Sequence, residues 1–316
     1  MSGLTSAIFH ATSSSPLEPM PEPLPPIRTL LTHLVDYAGL FPPAELDMPA
    51  AVAEYAAGRD GADGWALGRF IAPAGRLSEL HQALMPRHPT PAGRWRVSVL
   101  LGTEVGADLQ AIGRFTSAAA GGATVDAVEL KAGTPALVRQ AAGRLPRELE
   151  TYVEIPIDRD PAALVGALAE TGLRAKVRTG GVTADAFPSP DDLVRFLRAC
   201  LEAEVPFKAT AGLHHPLRST YRLTYAPDSP TGTMYGYLNL FLAAAFLRGG
   251  ATDADARLLL EETDAAAFRF DADGVGWHTL RVTTSDLARL RAESAIAFGS
   301  CSFREPIDDL TLLHLL

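Results

Sequence analysis

The feature that most constrains this fold is a regular alternation of short apolar runs with segments of helical periodicity. Trp65–Ile71 and Trp95–Leu101 are two such runs, and each is followed by a segment whose apolar residues recur at helical spacing. Continuous apolar runs are typical of strands in a parallel sheet, because helices cover both faces of such a sheet. The alternation therefore predicts repeated βα units.

The predicted strands are His33–Tyr37, Trp65–Ile71, Trp95–Leu101, Val125–Leu130, Thr151–Ile155, Arg174–Val177, Phe207–Ala211 and Ser294–Phe298. The helices predicted after them are Met48–Ala57, Leu77–Leu84, Ala107–Ala119, Pro135–Gly143, Pro161–Glu170, Pro190–Ala203 and Pro306–Leu315. Eight strands on this spacing predict an α/β fold of the (β/α)8 TIM-barrel type, as one domain over residues 27–316. A doubly wound parallel sheet is the alternative fold.

Two regions depart from the simple repeat. Residues 213–293, between the seventh and eighth strands, are too many for one crossover helix. We predict an insertion there, a lid or an oligomer contact, with helices at Met234–Leu247 and Asp253–Glu262 and a hairpin of Ala267–Phe270 with Trp277–Val282. Residues 1–26 are rich in Ser and Pro and are predicted to be a disordered tail.

Charge and cysteine content limit the partners that we expect. The net charge is −9 over 316 residues, without a basic block, which argues against nucleic acid or an anionic membrane surface. No apolar run has the length of a membrane span and no secretory signal is visible, and two cysteines are too few for a disulfide framework. We therefore expect a cytoplasmic protein that binds a small molecule, with a homo-oligomer as an open possibility.

Lysine is rare in this chain. Of its 28 basic residues only three are lysine, namely Lys131, Lys176 and Lys208. Arginine stays protonated at working pH, whereas a buried lysine can lose its proton and act as a nucleophile. Lys131 falls at the end of the fourth predicted strand, and Lys176 and Lys208 fall in the sixth and seventh. Barrel enzymes place their chemistry at the carboxyl ends of strands. This placement favours a functional site over a chance survival of three lysines.

Lys176 and Lys208 are expected to lie within reach of each other, because the sixth and seventh strands are neighbours in a barrel. Repulsion between two buried ammonium groups and burial itself both push an amine pKa down. An amine tuned in this way is a carbonyl nucleophile near neutral pH. Acidic residues predicted at matching heights are candidate proton carriers or ion-pair partners: Asp36, Asp126, Glu129 and Glu154.

Small, glycine-rich loops follow the last three predicted strands. Backbone amides in such loops bind phosphates, and barrels often hold a phosphate after the seventh and eighth strands. The alternative interpretation is that glycine serves tight βα turns. The candidate substrate- or anion-binding residues at this rim are Asp36, Glu129, Lys131, Arg178, Thr179, Gly180, Gly181, Thr210, Gly212, Ser300 and Ser302.

Four segments resemble motifs of the deoxyribose-phosphate aldolase family, whose members are class I, Schiff-base aldolases on a (β/α)8 barrel. Ala175–Gly180 (AKVRTG) resembles the family's Lys-Thr-Ser-Thr-Gly strand, and Phe207–Gly212 (FKATAG) its Phe-Lys-Pro-Ala-Gly-Gly strand. Ala297–Ser302 (AFGSCS) is similar to Arg-Phe-Gly-Ala-Ser-Ser, and Gly122–Asp126 (GATVD) to Gly-Ala-Asp-Glu-Val-Asp. Their order along the chain also agrees.

The resemblance implies a carbon–carbon lyase in which Lys176 forms the Schiff base, Lys208 lowers its pKa and Asp126 carries a proton through a water. Glu154 joins them in the predicted catalytic set, and no cofactor is expected. The resemblance places the phosphate end of the substrate at Gly180, Gly181, Gly212, Ser300 and Ser302.

Departures from the family motifs leave alternatives open. Arg178 stands where the family has a small residue, and its guanidinium can bind a carboxylate in place of a phosphate. His214 and His215 follow the seventh strand and are weak candidates for a metal site or an acid–base group. The alternative functions are an isomerase or lyase whose cationic lysines stabilise an enolate, and a non-catalytic barrel that binds a small anion.

Overall fold

The fold is known from a computed structural model, which describes residues 22–86, 93–119 and 121–316. Its strands are β1 (Val35–Tyr37), β2 (Leu67–Pro73), β3 (Trp95–Leu100), β4 (Ala123–Lys131), β5 (Glu150–Glu154), β6 (Arg174–Arg178), β7 (Phe207–Thr210), β8 (Ser219–Arg222), β9 (Thr231–Met234), β10 (Phe268–Asp271), β11 (Gly274–Trp277), β12 (Leu280–Thr283) and β13 (Ala295–Ser300).

The α-helices lie between these strands and at both ends. They are α1 (Pro25–Leu31), α2 (Met48–Asp60), α3 (Leu77–Leu84), α4 (Val105–Ala118), α5 (Pro135–Ala142), α6 (Ala162–Thr171), α7 (Pro190–Glu202), α8 (Tyr237–Arg248), α9 (Asp253–Glu261), α10 (Thr284–Glu293) and α11 (Arg304–Leu312). No helix in the described ranges is both long and apolar enough to cross a membrane.

Eight parallel strands close into a barrel in the order β1-β13-β7-β6-β5-β4-β3-β2. Strand β1 pairs with both β13 and β2, and Val35 lies opposite Phe298 on one side and Leu67 on the other. The sheet therefore has no open edge. The predicted TIM barrel is confirmed, and the doubly wound sheet is excluded by this closure. The ends of each predicted barrel strand lie within two residues of the observed ones.

Local sequence signals explain where several helices begin. Ser189 precedes α7, accepts a hydrogen bond from the Asp192 amide and is followed by Pro190 in the first turn. The Asp192 carboxylate bonds back to the Ser189 amide, which completes a capping box. The same reciprocal pair starts α9 and α10, at Thr252 and Thr283. These caps satisfy amides that a helix end would otherwise leave unpaired.

The insertion between β7 and β13 is more elaborate than the sequence predicts. An antiparallel hairpin of β8 and β9 comes first, followed by α8, α9, a three-stranded antiparallel sheet of β10, β11 and β12, and finally α10. The predicted single strand Trp277–Val282 is wrong: His278 has a φ of 50°, which is incompatible with extended backbone, and the chain turns there into a separate strand.

Asn239 holds parts of this insertion to one another. It is the only asparagine of the chain and is fully buried in the apolar helix α8. Its amide group donates to the carbonyls of Leu259 and Glu262 at the end of α9, and its oxygen accepts from the Arg218 amide before β8. One side chain therefore satisfies three backbone groups that the insertion buries.

The predicted tail meets the described residues only at its end. Residues 1–21 lie outside the described ranges, so disorder there stays a prediction. Pro25 and Pro26, assigned to the tail by composition, instead begin helix α1, which packs Ile27 and Leu30 into the core. Proline is tolerated in a first helical turn because the amide that it lacks has no partner there.

Candidate active site

Lys176 and Lys208 lie side by side inside the barrel. They are directly opposite each other in the parallel pairing of β6 with β7, which fixes their common height. Both are buried, with side chains 6% and 1% exposed. Both ammonium groups reach the same carboxylate, Glu129 of β4. The sequence predicts the proximity of the two lysines and names Glu129 among the carboxylates at their height, but it does not predict that Glu129 lies between the two amines.

Amines and carboxylates alternate across the interior in a series that we call the lysine–carboxylate chain. The Lys208 Nζ lies 2.6 Å from Asp36 Oδ2 and 2.7 Å from Glu129 Oε1. The Lys176 Nζ lies 2.8 Å from Glu129 Oε2 and 3.1 Å from Glu154 Oε2. Each ammonium therefore contacts two carboxylates, an arrangement that offsets much of the cost of burying the charges.

The chain continues outward from Glu154 to the rim of the barrel. Lys131 Nζ and Arg178 Nε lie 3.4 Å and 3.5 Å from Glu154 Oε1, and their side chains are 69% and 48% exposed. Arg178 is two residues beyond Lys176 on β6, so the alternation of a strand sends both to the same side. Exposure thus rises steadily from Lys208 through Lys176 to the two rim cations.

Interactions within the lysine–carboxylate chain determine which of its groups are charged in the resting site. Burial opposes ionisation of Glu129, but the ammonium groups of Lys176 and Lys208 outweigh it and lower its pKa. For Lys208, burial is likewise outweighed by Asp36 and Glu129, which raise its pKa. The expectation that repulsion lowers the pKa of both lysines is therefore wrong for Lys208, because Glu129 stands between them.

Glu154 follows the same logic at the outer end. Burial raises its pKa, but Lys176, Arg178 and Lys131 together lower it. Glu129 and Glu154 are therefore both carboxylates at neutral pH. In the resting site they accept hydrogen bonds and protons and do not donate them.

A cavity of about 310 Å³ opens above Lys176 at the carboxyl ends of the barrel strands. Lys208 and Asp36 do not line it, so Lys176 is the buried lysine that a bound molecule meets. The apolar part of its wall is Ala38, Phe41, Pro42, Pro43, Ile71, Leu100, Val182, Ala211 and Leu223. The remaining lining is Glu129, Lys131, Glu154, Lys176, Arg178, Gly181, Thr210, Gly212, His214, Gly299 and Cys301.

Asp126 is not brought to the lysines. Its carboxylate lies 2.7 Å from the Nε of Arg69 and 2.6 Å from the Nε of Arg96, and Arg69 also binds Glu150 at the amino end of β5. The pairing of β3 with β4 shifts register at Asp126, and Glu129 lies three residues farther along the strand, about 10 Å. Of the two β4 carboxylates that the sequence places at the height of the lysines, Glu129 lies beside them and Asp126 does not.

The glycines after β6 and β7 are packed closely against each other and against Phe187. A Cβ added at Gly180 would lie 2.3 Å from the ring of Phe187, and one at Gly212 would lie 2.8 Å from the Gly180 Cα and 2.9 Å from that ring. Thr179 is buried and donates its hydroxyl to the Ala211 carbonyl. Glycine serves close packing of the two loops here, and Phe187 fills the space beside them.

The two serines after β13 also make internal bonds. The Ser302 Oγ accepts from the Glu305 amide in the first turn of α11, at 3.1 Å. The Ser300 Oγ is buried and lies 3.4 Å from the Ser302 amide. Neither lines the cavity, whereas Arg178, Gly181, Thr210 and Gly212 do.

The adjacent histidines have different surroundings. His214 lines the cavity and its Nδ1 lies 3.1 Å from Glu305 Oε2. His215 turns away, donates to Asp309 at 2.6 Å and stacks on Tyr221 with ring centroids 3.5 Å apart. Within residues 22–86, 93–119 and 121–316, no group of three or more His, Cys, Asp or Glu side chains has the arrangement of a metal site.

Sequence reasoning missed three residues near His214. Cys301 lines the cavity with its Sγ 3.8 Å from His214 Nδ1. Tyr225 reaches over from the loop joining β8 to β9, and Glu305 lies in the first turn of α11. No spacing along the chain links positions 76 to 91 residues apart, so only the closed barrel brings them together.

Comparison of the chain with family models, curated proteins and solved structures finds no match. The barrel is a fold common among enzymes, and its sites lie at the carboxyl ends of the strands, where this cavity opens. Fold alone does not assign a reaction, so the function has to be argued from the side chains around Lys176.

Proposed function

We propose that this barrel is a lyase of the class I aldolase type, which makes or breaks a carbon–carbon bond in a small carbonyl compound through a Schiff base on Lys176. The observation that carries the proposal is the position of that amine: it is buried, it lines the cavity, and it contacts two carboxylates. The resemblance of four segments to the deoxyribose-phosphate aldolase family agrees with it and suggests a divergent relative.

The two lysines divide the work in this proposal. Lys208 is closed off from the cavity between Asp36 and Glu129, and its raised pKa keeps it an ammonium. As a fixed cation it holds Glu129 ionised and in place. Lys176, the other amine of the lysine–carboxylate chain, gives up its proton and reacts with the substrate.

The carboxylates beside Lys176 provide the proton acceptor that the first step needs. Lys176 transfers one proton to Glu154 and becomes a neutral amine, whose lone pair then adds to the substrate carbonyl carbon. Loss of water from the resulting carbinolamine gives the Schiff base. Removal of the proton of a β-hydroxyl group then breaks the carbon–carbon bond and leaves an enamine on Lys176, which a proton and water return to the free amine.

The rim favours a substrate with a carboxylate over one with a phosphate. Phe187 fills the space beside Gly180 and Gly212, where the family motif implies a phosphate. Arg178 and Lys131 remain as exposed cations that line the cavity mouth. A planar guanidinium fork is well suited to a carboxylate. The apolar wall around Phe41 and Leu223 would cover the rest of a small carbon skeleton.

The ion pairs themselves favour a second candidate function. Each buried lysine contacts two carboxylates, as a permanent cation would. In that case Lys176 stays charged and stabilises an enolate without a covalent bond, as an isomerase or a lyase of another type requires.

Replacement of Lys176 by arginine separates these functions. A panel of β-hydroxy aldehydes and ketones, with and without a carboxylate, is the substrate set, and release of the smaller carbonyl product is the measurement. Schiff-base chemistry predicts a loss of kcat of about 1,000-fold or more in Lys176→Arg, because arginine is not a nucleophile.

The matched control is Lys131→Arg, which keeps a cation at the exposed rim and should retain most of kcat. A Lys176→Arg variant that keeps its activity would favour the cationic enolate function instead. A wild-type protein that turns over no member of the panel, yet binds the carboxylates equally well with either residue, would favour a non-catalytic anion-binding barrel.

A further inference from the structure

A second cluster of titratable side chains faces the same cavity as Lys176. The Nδ1 of His214 lies 3.1 Å from Glu305 Oε2 and 3.8 Å from the Sγ of Cys301. The hydroxyl of Tyr225 donates to Glu305 at 3.2 Å and lies 3.4 Å from the same sulfur. We call these four residues the imidazole–thiol cluster.

The cluster leaves the Nε2 of His214 free to interact with a molecule in the cavity. His214 and Cys301 line the cavity, whereas Glu305 and Tyr225 do not. Nδ1 is engaged by Glu305 and Cys301, and within the described parts of the chain Nε2 makes no hydrogen bond. An imidazole oriented through one nitrogen by a carboxylate, with the other nitrogen free, has the arrangement of a general acid or base.

Of the two roles, general acid and general base, the charge of His214 favours the general acid. Burial lowers its pKa, but its hydrogen bonds to Cys301 and Glu305 outweigh burial and raise the pKa to about 9. At neutral pH the ring is an imidazolium with a proton on Nε2. The charged or titratable groups around it are Glu305, Cys301, Tyr225 and the neighbouring His215, with Lys176 and Arg178 lining the same cavity.

The proposed reaction needs such an acid, and no carboxyl group of the lysine–carboxylate chain is protonated in the resting site. Glu129 and Glu154 both have lowered pKa values and rest as carboxylates. Loss of water from a carbinolamine requires a proton on the departing hydroxyl. Of the groups that line the cavity, His214 combines a free nitrogen with a positive charge in its resting state.

We propose that His214 is the general acid of the site and that Glu305 is its positioning residue, an inference that rests on the proposed Schiff-base function. In the step assigned to it, Nε2 donates its proton to the hydroxyl of the carbinolamine. The carbon–oxygen bond breaks and water leaves, while the nitrogen lone pair of Lys176 forms the carbon–nitrogen double bond. His214 is left neutral and recovers its proton when water adds back to release the product.

The rate at which Lys176 forms a Schiff base tests this inference. The probes are acetaldehyde and 4-oxobutanoate, an aldehyde with a carboxylate; they are mixed with protein for timed intervals between pH 6 and pH 10 and reduced with borohydride. The adduct on Lys176 is then measured by mass spectrometry. His214→Gln should slow its formation by about 100-fold or more and remove the fall in rate near pH 9 that the wild type is expected to show.

His81→Gln is the control, because His81 lies in helix α3 and does not line the cavity. It should leave both the rate and the pH profile unchanged. Glu305→Gln should keep the acid but move the alkaline fall to lower pH, since the carboxylate that raises the His214 pKa is gone. A purely structural role for Glu305 would not move this fall, and the measurement stays decisive if His214→Gln does not fold.

The outcomes separate the two proposals. Adduct on Lys176 in the wild type, formed at the same rate and with the same pH profile in His214→Gln, would overturn the role of His214 and leave the Schiff base intact. An unmoved alkaline fall in Glu305→Gln would overturn the positioning role. Absence of any Lys176 adduct in the wild type, with both probes, would overturn the Schiff-base function and with it the acid assigned to that step.

Discussion

At the scale of single residues, Glu129 holds the candidate site together. Its Oε1 accepts from Ser98 at 2.8 Å and from Lys208 at 2.7 Å, and its Oε2 faces Lys176 at 2.8 Å. Two buried cations without this carboxylate would repel each other inside the barrel. Glu129 therefore serves more to position the two amines than to bind substrate.

Glu129→Gln should lower the free energy of unfolding by about 3–5 kcal/mol at pH 7, because it leaves two buried ammonium groups around a neutral amide. The folded-state pKa of Glu129 is below its unfolded value, so its contribution is complete above the unfolded pKa and is lost as pH falls through the folded one. Urea unfolding should show a difference between wild type and variant that is constant from pH 5 to 8 and shrinks below about pH 4.

Glu170→Gln is the control for that measurement. Glu170 pairs with Arg139 at 2.8 Å on the surface, where the side chains are 60% and 54% exposed. Its replacement should cost less than about 1 kcal/mol. Equal and small losses in the two variants would show that Glu129 does not bridge buried charges.

The sequence predicts that the two lysines are close together, but it does not predict which β4 carboxylate lies between them. Lys176 and Lys208 are on neighbouring strands, so adjacency alone places them together. Glu129 and Asp126 are both on β4, and which of them reaches the lysines depends on the stagger of the strands and on the register shift at Asp126. Neither quantity leaves a pattern in one sequence.

At the scale of elements, the loops after β6 and β7 illustrate how one glycine pattern fits two structures. A phosphate cradle and a close loop–loop contact both require residues without a Cβ. Phe187, which decides between them, follows Gly180 by seven residues and gives no sign in the sequence that it returns to cover that glycine.

Gly180→Ala should therefore be destabilising by about 1–3 kcal/mol, since the new methyl group would overlap the Phe187 ring. The double variant Gly180→Ala with Phe187→Ala should be more stable than the sum of the two single losses predicts, because the overlap is relieved. Thermal unfolding of the four proteins of the cycle measures this coupling.

The control for steric overlap is Gly166→Ala in helix α6, where an added Cβ meets nothing within 4 Å. It should be neutral or stabilising by up to about 1 kcal/mol, since alanine favours a helix interior. Additive losses at positions 180 and 187 would contradict the packing of Phe187 on the two loops.

At the scale of the whole molecule, the barrel interior is charged at both ends and Asp36 joins the two. Its Oδ1 accepts from the Arg69 amide and its Oδ2 binds Lys208. Arg69 forms ion pairs with Asp126 and Glu150 toward the amino ends of the strands. Toward the carboxyl ends, Lys208 is connected through Glu129 to Lys176. The interior therefore provides one fixed framework of charges, and only its outer end opens to the cavity.

The fold was predictable at this scale because closure of eight βα units follows from spacing and from the handedness of crossovers. The details of residues 213–293 were not predictable, because short antiparallel strands such as β8 and β9 have weak periodicity. The sequence also does not show which part of the barrel such strands cover. The contacts of Tyr225 with Glu305 and Cys301 belong to that unpredicted part.

The central claim is that Lys176 is the reactive amine of this barrel, and borohydride trapping of a Schiff base tests it most directly. The chain has only three lysines, so peptide mapping after reduction with a panel of small aldehydes and ketones assigns every side-chain adduct to Lys131, Lys176 or Lys208. We predict an adduct at Lys176 and none at Lys208, which is sealed between Asp36 and Glu129. An adduct confined to the exposed Lys131, or no adduct across the panel, would contradict the account.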